Sequence, residues 1–591
     1  GTGTLSSEVS ASTPLPAPAN FTATAGSAKV TLDWGAVSGA TSYTIYWDTT
    51  SEIISSDTAI TSVSTDNYTH SSLTNGTTYY YKVAAVATSG TGTLSSEANA
   101  TPSSTWAQQA YVKAVNRGNG NQFGGSVALD GDTLAVGATK EGNNQTTITN
   151  GTTASSAGGG SNSGAVYVYK RTGTSWEQEA YIKAANRSNG DQFGYSVSLS
   201  GDTLAVSASY ERSDQTTITN GTTASSDNSN YASGAVYVYK RTGTSWAQEA
   251  YVKAYINRVD NYFGMSVALD GDTLAVVSQG DDSDQTTITN GATASSDTTS
   301  SNSGAVYVYK RTGTSWAQEA YIKAANNDAN EYFSGNVALS GDTLAVGAFG
   351  EDSNQTTITN GTTASSNNSS SGSGAVYVYK RTGTSWAQEA YIKAANNDVN
   401  DKFSNVALDG DTLAVGAGYE DSNQTTITNG TTASSDDNSS GSGAVYVYKR
   451  TGTSWAQQAY IKAANNDVDD FFGGSVALSG DTLAVGASYE DSDQTTITNG
   501  TTASSDNSSS GSGAVYVYKR TGTSWAQQAY VKAVNNDASD SFGVSVALDG
   551  DTLVAGATSE DSNQTTITNG TTASSNNSSS ASGAAYIYLV Q

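Results

Sequence analysis

The stretch that decides the fold is Trp316–Ser385, WAQEAYIKAANNDANEYFSGNVALSGDTLAVGAFGEDSNQTTITNGTTASSNNSSSGSGAVYVYKRTGTS. It is the fourth of seven similar copies, which begin at Trp106, Trp176, Trp246, Trp316, Trp386, Trp455 and Trp525. Successive copies start 70 residues apart, except for one interval of 69. A fixed period of this length, in units too small to bury a core alone, is typical of a repeat architecture.

Each copy predicts four strands and no helix. In the fourth copy the predicted strands are Trp316–Ala324, Asn336–Leu339, Thr343–Ala348 and Ala375–Tyr379. A Ser-Gly or Asp-Gly pair between the second and third runs indicates a tight hairpin. The last run alternates valine with tyrosine, so both of its faces are apolar and must lie between two sheets. Four antiparallel strands per unit favour blades around an axis over the rungs of a solenoid.

The pairs Phe123-Gly124 and Gly137-Ala138, with their counterparts, resemble the FG-GAP repeat of integrin α-subunits and of bacterial and archaeal surface proteins. The resemblance covers Trp106–Gln591 and implies an all-β, seven-bladed propeller of four-stranded antiparallel blades. Copies 4 and 5 depart from it, with serine after the phenylalanine. The calcium loop of the family, between the first two blade strands, is here a tight turn, so its calcium sites are not carried over.

The order of the runs also predicts how the ring closes. If each blade starts at its Phe-Gly strand, its outer strand is the Trp strand of the next copy. The final run, Ala584–Tyr588, has no such strand after it, while Trp106–Ala114 is left over. We expect Trp106–Ala114 to be the outer strand of the last blade, which removes an exposed sheet edge.

The chain before the repeats resembles a fibronectin type III module, a β-sandwich. Lys29–Trp34 and Leu73–Val83 carry the resemblance, with Tyr79 as a tyrosine corner and Trp34, Tyr81 and Val83 in the core. The predicted domains are 15–103 for this module and 104–591 for the propeller. Residues 1–14 nearly repeat 90–101, and we interpret them as a remnant strand of a preceding module or as an inter-subunit segment.

Composition excludes several function classes. A formal charge of −27 argues against nucleic-acid partners and anionic membrane surfaces, and no apolar run is long enough for membrane insertion. The chain has no cysteine and one histidine, His70, so Cys-His and Ser-His nucleophiles in the repeats and histidine zinc sites are excluded. We therefore predict no enzyme, no catalytic residue and no cofactor-binding residue.

Carboxylates gather in the two connections that strand alternation places on one face of the propeller. Hard oxygen ligands at this density suit Ca²⁺, while a solvated acidic surface is the alternative. The candidate calcium ligands are Asp398, Asp401, Glu420, Asp421, Asp467, Asp470, Glu490, Asp491, Asp537, Asp540, Glu560 and Asp561. Calcium is the only cofactor that the sequence suggests.

The long loop of most copies contains Asn-Gly-Thr, which fits the N-glycosylation acceptor pattern. The candidate acceptors are Asn150, Asn220, Asn360, Asn429, Asn499 and Asn569, whereas the third copy has Asn290-Gly-Ala and loses the pattern. The loop also carries a single isoleucine, which we expect to pack onto the blade.

These observations predict an extracellular or cell-surface protein for adhesion or matrix contact, with surface proteins or glycans as partners. One alternative is a structural subunit of a surface filament, formed by self-association. A second is a carbohydrate-binding propeller with one sugar site in each blade. The aromatic candidates for such sites are Tyr210, Phe349, Tyr419 and Tyr489, which the sequence favours as packing residues.

Overall fold

The computed structural model describes residues 14–102, 105–155 and 161–591, and these contain strands and turns but no helix. The all-β class is therefore confirmed. The chain divides into two compact units: the first contains the chain up to Ala107 together with Val590–Gln591, and the second is Gln108–Leu589. The interpretation of residues 1–14 falls on residues outside the described ranges except for Pro14, the predicted boundary between 103 and 104 lies wholly outside them, and both stay predictions.

The first unit is a sandwich of two sheets. One sheet contains β1 (Thr22–Gly26), β2 (Lys29–Asp33) and β5 (Asn67–Ser71). The other contains β3 (Ser42–Asp48), β4 (Thr58–Val63), β6 (Tyr79–Ala87), β7 (Gly90–Leu94) and β8 (Ala98–Ala100).

The core of this sandwich is the predicted one. Trp34, Tyr81 and Val83 are buried between the sheets. The backbone N–H of Thr74 donates to the hydroxyl oxygen of Tyr79 at 3.0 Å, which is the tyrosine corner that the sequence predicts.

The second unit consists of seven antiparallel sheets, which we call blades 1 to 7. The order across each blade is inner, second, third, outer and edge strand. The inner strands are Phe123–Asp130, Val197–Ser200, Phe263–Asp270, Phe333–Ser340, Asn405–Asp409, Ser475–Ser479 and Phe542–Asp549. The second strands are Thr133–Ala138, Thr203–Ala208, Thr273–Ser278, Thr343–Ala348, Thr412–Ala417, Thr482–Ala487 and Thr552–Ala557.

The remaining strands complete each blade outwards. The third strands are Ala165–Thr172, Ala235–Thr242, Ala305–Thr312, Ala375–Thr382, Ala444–Thr451, Ala514–Thr521 and Ala584–Val590. The outer strands of blades 1 to 6 are Ser175–Ile182, Ser245–Val252, Ser315–Ile322, Ser385–Ile392, Ser454–Ile461 and Ser524–Val531. The edge strands are Thr149–Asn150, Thr219–Asn220, Thr289–Asn290, Thr359–Asn360, Thr428–Asn429, Thr498–Asn499 and Thr568–Asn569.

The alternating third strand explains how blades pack face to face. Its valines point to one face and its tyrosines to the other, because successive side chains of a strand alternate. Val166 and Val168 of blade 1 lie in one buried cluster with Tyr237 of blade 2. Both faces of the strand are therefore covered by neighbouring blades, as the sequence predicts.

The blades have five strands, so the prediction of four-stranded blades is wrong in one detail. The fifth is the two-residue edge strand, in which Thr149 and Asn150 pair with the outer strand. It comes from the long loop, where the amide of Gln145 donates to the Thr147 carbonyl at 2.7 Å and to Thr149 Oγ1 at 2.9 Å. A pairing of two residues is too short to produce a period-2 pattern.

The loop isoleucine packs where the sequence predicts it. In six blades it lies partly buried against the hydrophobic clusters, at Ile148, Ile218, Ile288, Ile358, Ile427 and Ile567. The long loop is thus anchored at its middle by an apolar contact and by the edge strand.

The leftover Trp strand lies in the seventh sheet. Trp106–Val112 is hydrogen-bonded between the third and edge strands of blade 7, where Tyr111 pairs with Thr568.

Hydrogen bonds also join the tight turns of successive blades. The N–H of each turn glycine donates to a side chain that ends the preceding inner strand, in the pairs Gly131–Asp549, Gly201–Asp130, Gly271–Ser200, Gly341–Asp270, Gly410–Ser340, Gly480–Asp409 and Gly550–Ser479.

Glycine is required where two blades come closest. Gly164 has a φ of +80°, and a Cβ atom there would lie 2.0 Å from the carbonyl oxygen of Phe193 in the next blade. A Cβ atom at Gly137 would lie 2.2 Å from the carbonyl oxygen of Gly194. Gly137, from a Gly-Ala pair, and Gly194, from a Phe-Gly pair, therefore lie against each other across a blade interface.

Candidate functional site

The long loops and the outer-to-inner connections lie on one face of the second unit. In blade 1 the described parts of these connections are 139–155 and 161–164 of the long loop and 183–192, which leads on to blade 2. Neighbouring strands are antiparallel throughout, so both connections leave the sheet at the same end. We call this the loop-rich face, and the opposite face, with the tight turns, the turn face.

A buried carboxylate begins the long loop of every blade. The set is Glu141, Glu211, Asp281, Glu351, Glu420, Glu490 and Glu560. Each pairs with a buried lysine at the end of the outer strand, in the order Lys183, Lys253, Lys323, Lys393, Lys462, Lys532 and Lys113. The last pair again joins the Trp106 strand to blade 7.

Blade 5 shows how such a carboxylate is satisfied. Glu420 Oε2 accepts from Lys462 Nζ at 2.8 Å. Its Oε1 accepts from the hydroxyl of Tyr460 at 2.7 Å and from the amide of Asn396 at 2.8 Å. Burial lowers the pKa of Lys462, and the adjacent Glu420 carboxylate opposes that shift. A buried charge of this kind needs a close partner and further hydrogen bonds, and here it has both.

A second set of buried acids precedes the strand phenylalanines. Asp401, Asp470 and Asp540 accept through Oδ2 from a backbone N–H three residues earlier, at 2.9, 3.1 and 3.2 Å. Burial raises the pKa of Asp401 to about 8, of Asp470 to about 7 and of Asp540 to about 8. Nearby carboxylates such as Glu420 raise the pKa of Asp401 further.

The remaining candidate ligands organise loops as well. Asp421, Asp491 and Asp561 accept through Oδ1 from backbone N–H groups 20 residues later. Asp467 and Asp537 accept from the amides of Asn507 and Asn577 across the long loop. The Asp398 carboxylate accepts from the N–H of Val399 at 2.8 Å.

The predicted calcium ligands are therefore placed on one face, as expected, and each has a local hydrogen-bond or ion-pair role there. Among residues 14–102, 105–155 and 161–591, no group of three or more acidic or histidine side chains could hold a metal ion. The three glutamates among the candidate calcium ligands each pair with a buried lysine. This arrangement does not fit a calcium site, and calcium stays a prediction without geometric support.

Candidate glycosylation residues form hydrogen bonds from one blade to the next. Asn360 Oδ1 accepts from the N–H of Trp455 at 2.7 Å, and its Nδ2 donates to the Trp455 carbonyl at 3.2 Å. Asn290, which lacks the acceptor pattern, makes the same two bonds to Trp386 at 2.7 and 3.2 Å. The asparagine thus has a structural role that does not depend on glycosylation, and glycosylation itself stays a prediction.

The sequence favoured packing roles for the aromatic residues of the loop-rich face, but two of these rings are exposed. Tyr419 and Tyr489 are 44% and 55% exposed, so they are not core residues. Phe471, which the sequence analysis did not single out, lies between them, with its ring centroid 4.7 Å from Tyr419 and 5.0 Å from Tyr489. In the sequence, Phe471 could have been found from the variation among copies at the residue before the strand phenylalanine.

Comparison with known families gives two matches. The model described as FG-GAP repeat matches residues 106–169, 176–239, 316–379, 455–518 and 525–588, which is more than half of the chain. The model described as fibronectin type III domain matches residues 16–101. No curated protein matches the chain.

Solved structures give further similarity. A Fn3-like protein from Clostridium thermocellum is 31% identical over 15% of this chain and 92% of its own, with a TM-score of 0.14. The structure called FN3tt is 25% identical over 15% of this chain and 97% of its own, with a TM-score of 0.13. The exotype rhamnogalacturonan lyase YesX is 12% identical over 97% of this chain and 90% of its own, at a TM-score of 0.32.

Proposed function

Because the chain belongs to the FG-GAP repeat family and carries a fibronectin type III domain, we propose that it is a non-enzymatic extracellular surface protein. Its function in this proposal is adhesion or matrix contact through the loop-rich face. Both kinds of domain are typical of extracellular proteins, and no helix in the described part of the chain could span a membrane.

The observation that carries the proposal is the distribution of differences among the copies. The third strand reads Ala-Val-Tyr-Val-Tyr-Lys-Arg-Thr in six blades without change. By contrast, the residue before the strand phenylalanine differs widely, as Gln122, Gln192, Tyr262, Tyr332, Lys402, Phe471 and Ser541. A constant frame that presents varied loop residues is typical of a binding surface.

Exposed apolar side chains on the same connections support this proposal. Val259, Val399 and Val468 are 56%, 49% and 56% exposed at equivalent places in the outer-to-inner connections. The formal charge of −27 favours solubility of the chain, and exposed valines do not add to that solubility. They suit a surface that becomes covered by a partner.

The absence of catalysis is part of the proposal. Two arrangements of buried carboxylates recur on the loop-rich face: pairing with a lysine, as at Glu420, and acceptance from a backbone N–H, as at Asp401. Neither arrangement leaves two carboxylates facing each other across a cleft, which acid–base hydrolysis needs.

The test is adhesion by beads that carry the full chain. We expect them to bind cell-envelope or matrix preparations, and binding should fall in the double variant Val399→Ser, Val468→Ser. The control is Thr384→Ser, an exposed residue in a tight turn of the opposite face. Electron microscopy of the same samples separates the alternative, because regular fibres without bead adhesion would indicate a structural subunit instead.

A further inference from the structure

A cleft on the loop-rich face is built from three successive blades. Its volume is about 330 Å³. Its wall contains Phe349 of blade 4, Lys402 and Tyr419 of blade 5, and Phe471 and Tyr489 of blade 6. This size lies in the range of pockets that take one or two rings of a small ligand.

Three aromatic rings of the cleft, Tyr419, Phe471 and Tyr489, are packed against each other, and both tyrosines remain open to solvent. Tyr419 meets Phe471 edge-on at 89°, and Tyr489 lies at 50° to the same ring. The two tyrosines nevertheless keep 44% and 55% of their surface exposed. Rings held this way offer a preformed platform, since binding costs little additional side-chain entropy.

The backbone at Phe471 is in an uncommon conformation. Its φ is +55°, in the left-handed region that bulky residues rarely adopt. The N–H of Phe471 donates to the Gly441 carbonyl at 3.0 Å, and the N–H of Gly474 donates to the Phe471 carbonyl at 2.9 Å. Blade 7 has Ser541 in this conformation at the equivalent position, so an aromatic ring is not needed to form the loop.

Polar groups lie beside the rings. The ammonium of Lys402 is 4.7 Å from the centroid of Tyr419, and Ser404, Asn405 and Ser488 complete the wall. An apolar peptide side chain would offer the Lys402 ammonium no hydrogen-bond acceptor. A pyranose ring has an apolar C–H face that stacks on aromatic rings and hydroxyls that hydrogen-bond around it, which matches both parts of the wall.

The combination of rings in this cleft depends on residues that vary among the blades. The positions equivalent to Tyr419 hold Lys140, Tyr210, Gly280, Gly350, Tyr489 and Ser559. Tyr210 has its own neighbour at 5.4 Å, Tyr262, and does not contribute to this cleft. The geometry favours one sugar site of this composition over a repeated site in each blade.

We propose that the cleft formed by Phe349, Tyr419, Phe471 and Tyr489 binds a neutral saccharide, with a pyranose ring stacked on the two exposed tyrosines. This inference rests on the proposed function, because it assigns a ligand class to the same face. Neutral sugars are favoured over acidic ones because the chain carries 54 acidic against 27 basic side chains.

The test uses the full chain on a printed array of neutral and acidic oligosaccharides, followed by calorimetry with the strongest neutral oligosaccharide. Tyr419→Ala and Tyr489→Ala should each bind it roughly three- to tenfold more weakly, the usual contribution of one stacked ring. Tyr255→Ala is the matched control, because Tyr255 is also 44% exposed but lies outside the cleft. Thermal melting of each variant shows whether the fold is retained.

Several outcomes would overturn the inference: no neutral saccharide bound, acidic saccharides bound alone, or both alanine variants binding like the unchanged chain. The bead assay distinguishes this failure from failure of the proposed function. Adhesion without saccharide binding leaves the proposed function in place and rejects the sugar site. Adhesion that free neutral saccharide competes away supports both.

Discussion

At the scale of single residues, the glycines at the blade interface combine two constraints that are separate elsewhere. Gly164 has a positive φ and also a carbonyl oxygen 2.0 Å from the place of a Cβ atom. Gly173, in the tight turn between third and outer strands, has a φ of +63° and no atom within 4 Å of that place. Comparing the two separates backbone strain from steric conflict.

We therefore expect Gly164→Ala to destabilise the protein much more than Gly173→Ala does. The turn variant should lose about 1 kcal/mol, the cost of an alanine in the left-handed region. The interface variant should lose clearly more, because the blades must also move apart. Urea unfolding followed by circular dichroism measures both, and equal losses would show that the interface can relax around a methyl group.

The buried acids before the strand phenylalanines link stability to pH. Burial raises the pKa of Asp401 and Asp540 to about 8, whereas an unfolded aspartate ionises near 4. Between these values the folded chain holds protons that the unfolded chain has released. Stability should therefore fall as pH rises from about 5 to about 8. Charged groups that face Asp401 include Glu420, Asp398 and Asp421, and all three raise its pKa.

The variant Asp401→Asn, Asp540→Asn should weaken this dependence. Blades 1 and 3 already have Asn121 and Asn261 at the same buried position, so the amide fits. We expect little change at pH 5 and a gain of at least about 1 kcal/mol in the free energy of unfolding at pH 8. Thermal melts at both pH values measure it, and a gain that is the same at both would attribute the effect to packing.

At the scale of elements, the edge strand connects neighbouring blades through hydrogen bonds of its asparagine side chain. The side chain of Asn360 bonds the N–H and the carbonyl of Trp455 in the next blade, and Asn290 does the same without an acceptor pattern. The recurring Asn-Gly-Thr therefore contains two separable features, an asparagine fixed by structure and an exposed threonine that only the glycosylation hypothesis needs.

Asn360→Ala should cost about 1–2 kcal/mol, since two backbone groups of Trp455 lose their partners. Thr362→Ala removes the acceptor pattern but keeps both bonds, and it should leave the stability of the unglycosylated protein unchanged. Chemical unfolding of material without glycans tests this pair. A loss of stability in the threonine variant as large as that in the asparagine variant would reject the stabilising role of the Asn360 hydrogen bonds.

The sequence predicted the regular elements well and their polar connections poorly. Alternation in Ala375–Tyr379 and the Ser340-Gly341 turn are local signals, and the strands lie where they indicate. The pairing of Glu420 with Lys462 spans 42 residues and depends on burial, which charge counts do not show. Carboxylates that resembled an acidic binding surface were therefore partly a set of buried ion pairs.

At the scale of the whole molecule, the two ends of the repeat array are joined by contacts of the same kinds as those inside it. The N–H of Gly131 donates to Asp549 at 2.6 Å, as the N–H of Gly480 does to Asp409. Lys113 on the Trp106 strand pairs with Glu560 of blade 7 as Lys393 pairs with Glu351 inside blade 4. Contacts across the ends of the repeat array should thus contribute as much stability as internal ones.

Lys113→Ala and Lys393→Ala test this equivalence. Each removes a buried ammonium that also donates to a serine hydroxyl at 2.7 Å, and each leaves a glutamate buried without its partner. Both should therefore cost about 3 kcal/mol or more. In an array that opens between the first and last copies, the Trp106 strand would already be detached, and Lys113→Ala would cost little while Lys393→Ala kept its full effect. Equal losses in urea unfolding at pH 7 would mean that the seven blades unfold as one cooperative ring.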